Sequence, residues 1–185
     1  DCSCGKMYTA CAMEKEMRDR GMNATFRATG QTGILVTGEG VPLDAVVADF
    51  MAGAVETLTP NNDEDHWDLI EGQGSLFHPS YSGVTMALIH GGQPDYLVLC
   101  HEPIRTHMRG LPHYTSPGLA ALRPLAEDLA KVVNPNVKSF AISVNTQHMS
   151  EDEAQAYLAK VEAKMGLPTT DSFRYGAGKL VDALG

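Results

Sequence analysis

Three short stretches carry residue types that can do chemistry. The first is DCSCGKMYT (1–9), where Gly5 and Lys6 fit the second half of a phosphate-binding loop, G-x-x-x-x-G-K-[ST]. In such a loop the backbone amides wrap phosphate oxygens, the lysine meets them, and the final hydroxyl binds magnesium. Here Met7 stands at the hydroxyl position. A thioether is a poor ligand for a hard cation, so Asp1, Ser3, Gly5 and Lys6 suit an anchor for phosphates better than an engine that cleaves them. The second stretch is DLIEGQGSLFHP (68–79), an acid at a strand end followed by glycines. Glu71 can bind metal, accept a proton from an amine or hydrogen-bond nearby amides, and His78 extends the same turn. The third is CHEPIRTHMRGLPHY (100–114), with histidines six residues apart, which matches no standard metal-ligand spacing, so no metal is expected. Within it, His101 reads as a solvent-exposed or hydrogen-bonded histidine, and Arg105 and Arg109 are candidates to clamp a carboxylate or phosphate bidentately.

These stretches need elements to hold them. Residues 5–20 read as a helix stopped by Gly21, ATFRAT (24–29) as a short strand, and GQTGILVTGEG (30–40) as a glycine-rich loop that includes Thr32. DAVVAD (44–49) is apolar and reads as strand or helix, with Asp49 either a ligand-facing acid or a helix N-cap. A helix over 50–58, a strand running from 67 into the tight turn, a helix over 82–90 and a strand over 95–103 follow. The segment 104–116 reads as a long loop, and Pro117 as the start of a helix reaching 133. A strand over 137–145 precedes a helix over 150–166, opened by a capping box of Ser150 and Glu153. A short helix closes the chain.

Strands alternating with helices give an α/β fold with a mostly parallel sheet flanked by helices. In such sheets ligands gather beyond the carboxyl ends of the strands. GQTG, Asp49, EGQGSLFHP, HEPIR and NTQH all follow strands, on the side where the loop 1–6 also lies. One active site is expected there.

At 185 residues, 43% hydrophobic and 20% charged, the chain fits one globular domain. A net charge of −9 argues against nucleic acid as a partner. No apolar run is long enough to span a membrane. Four cysteines without a disulfide-like spacing fit a reducing, cytoplasmic setting. The opening motif requires an apolar strand before it, so a first strand and a preceding domain are expected upstream.

DCSCGKM, ATGQTGIL, VVADFMAGAVE and IEGQGSLFHPSYSGVT together resemble the P-loop domain of the DUF1611 family, over nearly the whole chain. The resemblance implies a P-loop NTPase-like three-layer sandwich behind a Rossmann-like N-terminal domain. Some members of that family are described as D-glutamate N-acetyltransferases. It therefore implies acetyl-CoA as donor, an amino acid, D-glutamate, as acceptor, Lys6 on the phosphates of coenzyme A, and Glu71 or His101 as base. Thr32, Asp49, His78, Arg105 and Arg109 would line the acceptor side. A symmetric homo-oligomer is the default expectation.

A more distant similarity links the chain to dethiobiotin synthetase and its relatives, through the opening loop, Thr32–Gly33 and Glu71–Gly74. That similarity implies the alternatives: an ATP- and magnesium-dependent ligase or kinase, or a nucleotide-binding module without chemistry. Met7 and Ala28, which stand where those ATP users carry a hydroxyl and a lysine, weigh against the ligase.

Overall fold

The structure, a computed structural model, describes residues 2–185. Asp1, a candidate phosphate ligand, lies outside the described residues. The chain opens with α1 (Lys6–Asp19), β1 (Ala24–Arg27) and α2 (Gln31–Thr37), then two 3-10 turns, Leu43–Ala45 and Ala48–Phe50. It continues through α3 (Met51–Leu58), β2 (Trp67–Ile70), α4 (Ser82–Gly92), β3 (Tyr96–His101), β4 (His107–Met108) and β5 (Leu111–Thr115). The last part holds α5 (Leu119–Ala130), β6 (Lys138–Val144), α6 (Glu151–Met165), β7 (Thr169–Thr170), α7 (Ser172–Tyr175) and α8 (Gly178–Asp182).

Side-chain alternation on β3 shows how the layers stack. Tyr96 and Val98 pack with Met13 of α1, Phe140 and Leu180 of α8. Leu97 and Leu99 point the other way, towards Ile89 of α4, Ala130 of α5 and Leu119. β2 repeats the pattern: Trp67 and Leu69 face α1 and α8, while Ile70 meets Leu43, Val55 and Leu88 on the side of α3 and α4. Helices thus cover both faces of parallel strands, the three-layer arrangement expected from the sequence.

The sheet itself is interrupted. β1 pairs in parallel with β2, and β3 pairs in parallel with β6, which pairs with β7. No described strand joins β2 to β3. Between them lies a cavity of about 730 Å³, lined along its length by Trp67–Ile70 and Tyr96–His101 and floored by Lys6, Thr9, Ala10 and Met13. Every residue of β2 is only half-buried in consequence, although WDLI reads as an interior strand.

Local differences from the sequence reading have physical causes. Helix α2 occupies the expected loop 30–40, and the DAVVAD segment forms 3-10 turns instead of a strand or regular helix. The loop 104–116 contains the antiparallel β4–β5 hairpin, turned at Gly110 with φ 75°. α5 starts at Leu119, because Gly118 takes φ 78°, outside helical geometry. The capping box forms as expected: Ser150 Oγ accepts from Glu153 N, and Glu153 Oε2 accepts from Ser150 N at 2.9 Å. Among the described residues no helix is long and apolar enough to cross a membrane.

Candidate active site

The opening loop enters α1 through two left-handed residues, Ser3 (φ 53°) and Gly5 (φ 101°). Helix α1 then begins with neither a capping side chain nor an acid in its first turn. Its first amides have no intrahelical acceptors and sit at the positive end of a 14-residue helix dipole, a ready anion site. The Lys6 side chain runs along Gly72, close enough that a Cβ there would touch its Cδ, and its Nζ lies 4.0 Å from Cys4 Sγ. Arg105, a candidate substrate clamp, donates to the Cys2 carbonyl and to Glu102. The guanidinium thereby ties the loop to the end of β3.

Glu71 is buried at the end of β2. Its Oε2 accepts the backbone N–H of Thr29 at 2.9 Å and of Gly30 at 3.1 Å, and its carbonyl accepts the Thr29 hydroxyl at 2.7 Å. A Cβ at Gly33 would overlap that same Oε2, and one at Gly30 would overlap the Gln73 amide. The glycines of GQTG are therefore dictated by close approach to Glu71 and Gln73. Thr32 sits exposed on α2.

His101 ends β3 and is half-buried, with Nε2 2.9 Å from the Tyr157 hydroxyl and the two rings stacked at 6.2 Å. Burial pulls its pKa below the ordinary histidine value. Beside it, burial pushes the Cys100 thiol up to about 12, with Lys6 and a Thr9 hydrogen bond opposing. His78 is buried and accepts Ser80 N–H at Nδ1 (3.2 Å), which leaves Nε2 to donate to the Arg109 carbonyl at 3.0 Å. That pairing fixes the neutral Nε2–H tautomer and pins the β4–β5 hairpin to the glycine turn. Arg109 stands exposed at the hairpin tip, and Asp49 is exposed in the second 3-10 turn.

The structure brings Lys6, Glu71 and His101 to one cavity, together with Ser75 and Cys100. Thr32, Asp49, His78, Arg105 and Arg109 do not line it. Among the described residues no three His, Cys, Asp or Glu side chains are grouped to hold a metal ion. Sequence reasoning passed over Tyr157, which has no motif around it and reaches His101 only through the packing of α6 against β3. It also passed over Asp171, which accepts from Thr146 N, Phe173 N and Arg174 N and so fastens the β6–α6 loop to α7.

Comparison with known proteins agrees with this architecture. The chain is 70% identical over 184 residues to a D-glutamate N-acetyltransferase of Tritonibacter scottomollicae, covering 100% of this chain and 55% of that protein. It is 47% identical over 181 residues to one from a Pseudoalteromonas species, covering 98% and 54% respectively. The chain thus spans about half the length of the curated relatives it matches. A crystal structure of a DUF1611 family protein from Anabaena variabilis ATCC 29413 superposes with a TM-score of 0.93 at 41% identity, over 100% of this chain and 54% of that one. Cobyrinic acid a,c-diamide synthase from Mycobacterium smegmatis, solved with ADP and magnesium, shares the fold at a TM-score of 0.54 and 12% identity, over 98% of this chain and 87% of that one. Residues 1–181 match the family model described as "Domain of unknown function (DUF1611_C) P-loop domain". With strands, loop and family model in agreement, the chain belongs to the DUF1611 family, of which it carries the P-loop domain.

Proposed function

We propose that the protein to which this chain belongs transfers the acetyl group of acetyl-CoA to the amine of D-glutamate. The observation that carries the reading is the 70% identity, along the whole chain, to a relative bearing that name. The loop supports it physically: uncapped amides and Lys6 offer a seat for the phosphates of coenzyme A, and Met7 supplies no hydroxyl for magnesium.

In the proposed reaction the amine nitrogen attacks the thioester carbonyl, the C–S bond breaks, and the coenzyme A thiolate leaves. The proton lost by the amine goes to a base and then to that thiolate. His101 suits the role better than Glu71. It is neutral at pH 7 because burial disfavours its charged form, and it lines the same cavity as Lys6. One Glu71 oxygen already receives two backbone amides, so this carboxylate is committed to shaping the T-G loop. Arg109, on the hairpin tip beyond the cavity, is the proposed partner for an acceptor carboxylate.

The test is direct. Protein of the relatives' full length is mixed with acetyl-CoA and D-glutamate, and free thiol and N-acetylglutamate are followed by mass spectrometry, with L-glutamate in parallel. Thiol release and product that depend on D-glutamate support the reading. Steady ADP release from ATP, with no acetylated product, would replace it with the ligase alternative.

A further inference from the structure

The backbone of His101, the last residue of β3, is fixed on both sides. Its carbonyl accepts Asn145 N–H at 2.8 Å, and the strand register pairs it with Val144 of β6. Of its two ring nitrogens, one has a hydrogen-bond partner among the described residues. That partner is Tyr157 Oη, 2.9 Å from Nε2, with the rings inclined by 23°. Glu102, the next residue, carries a carboxylate that could have served, but Arg105 and Gln147 take its two oxygens.

Tyr157 is held as rigidly as the ring it meets. Its neighbours on α6, Leu158 and Val161, are buried with Leu99, Ile142 and Val144, and Tyr157 packs on the same cluster. Burial raises the pKa of the phenol, which stays protonated at neutral pH. His101 borders the large cavity, whereas Tyr157 does not. The phenol stands behind the imidazole and acts on a molecule in that cavity only through it.

Which group donates decides what His101 can do. If the phenol donates to Nε2, the ring hydrogen sits on Nδ1 and the lone pair a base needs is covered. If Nε2–H donates to the phenol oxygen, Nδ1 is bare. The second arrangement survives a proton transfer, because the oxygen accepts Nε2–H from neutral imidazole and, more strongly, from imidazolium. The first must break once Nε2 is protonated.

We propose that Tyr157 is a positioning residue for His101, accepting Nε2–H and so keeping Nδ1 bare to take the proton of the incoming amine. The inference rests on the reading that His101 is the base of the acetyl transfer. The amine proton goes to Nδ1 and from there to the coenzyme A thiolate, while the Nε2–H bond stays intact throughout. The phenol hydrogen is left to water, since Tyr157 is only half-buried.

Protein of the relatives' full length, carrying isotope-labelled histidine, is studied by imidazole nitrogen NMR in mildly alkaline buffer. The His101 signals are assigned by their loss in His101→Asn. Wild-type His101 is expected as the Nε2–H tautomer. In Tyr157→Phe, which keeps the ring and its packing, a mixture of both tautomers is expected. The same substitution should lower kcat about tenfold to a hundredfold and leave KM for both substrates within about twofold. An Nδ1–H tautomer in the wild type overturns the proposal, as does an unchanged tautomer or an unchanged kcat in Tyr157→Phe. The spectra need no turnover. A protein with the expected tautomers that makes no acetylated product would sink the acetyltransferase reading and leave the Tyr157–His101 pairing standing.

Discussion

The Glu71 carboxylate receives the backbone N–H of Thr29 at 2.9 Å, inside the protein, at the ends of two adjacent parallel strands. The same oxygen also takes Gly30 N–H. Removing the carboxylate strands both amides. Glu71→Ala is therefore expected to lower stability by at least about 2 kcal/mol in urea unfolding. Gly33→Ala, which drives a methyl into the same oxygen, should cost about 1–3 kcal/mol. A Glu71→Ala protein of unchanged stability would show that the carboxylate does not hold the loop.

His101 predicts a pH profile. Its folded pKa lies below 6.5, so the neutral base form gains population as pH rises through that lowered value. The rate should climb over the same interval and be level by pH 7. Stability carries the same sign: between the folded pKa and 6.5 the unfolded chain binds the extra proton, so stability falls as pH falls through this window. His101→Asn should lower kcat by about 10²–10⁴-fold and erase the acidic limb. Tyr157→Phe should move the limb without removing it. A limb that survives in His101→Asn would assign it to another group.

Cys100 borders the same cavity, yet its thiol titrates near 12 and stays protonated at neutral pH. It is a poor acetyl carrier, because the thiolate is the nucleophile. Cys100→Ser should retain activity within about threefold, and intact-protein mass spectrometry after mixing with acetyl-CoA should show no acetyl adduct on the wild type. An adduct that vanishes in Cys100→Ser would point to a two-step transfer.

At the opposite end of the energetic scale, Ser150→Ala removes one half of a surface capping box. It should cost about 1 kcal/mol and leave activity alone. Denaturant midpoint and turnover, measured on one preparation, check both halves of the statement.

Some of this was readable before any coordinates. Ser150 with Glu153, and the Gly166 stop at φ 64°, announce α6 because both signals are local. That Glu71 and His101 line one cavity could be anticipated because each follows or ends a strand, and parallel strands deliver their carboxyl ends to one rim. Helix α2 was not, since Gln31–Thr37 reads as loop until Glu71, some 40 residues on, supplies the acceptor for the Thr29 and Gly30 amides. The roles of His78 and Arg105 also escaped. Both look like site residues in sequence, but one braces a hairpin through the Arg109 carbonyl and the other braces the loop through the Cys2 carbonyl. A long-range hydrogen bond leaves no local pattern to read.

The described residues fold their parallel strands as two separate ribbons, β1–β2 and β3–β6–β7, which together present four outer margins where one continuous sheet would present two. The inner pair, on β2 and β3, face one another across apolar walls. Unsatisfied main-chain groups beside greasy side chains recruit whatever extended polypeptide is nearby. For anyone handling this domain in isolation, the concentration of the sample will govern its behaviour as much as temperature does.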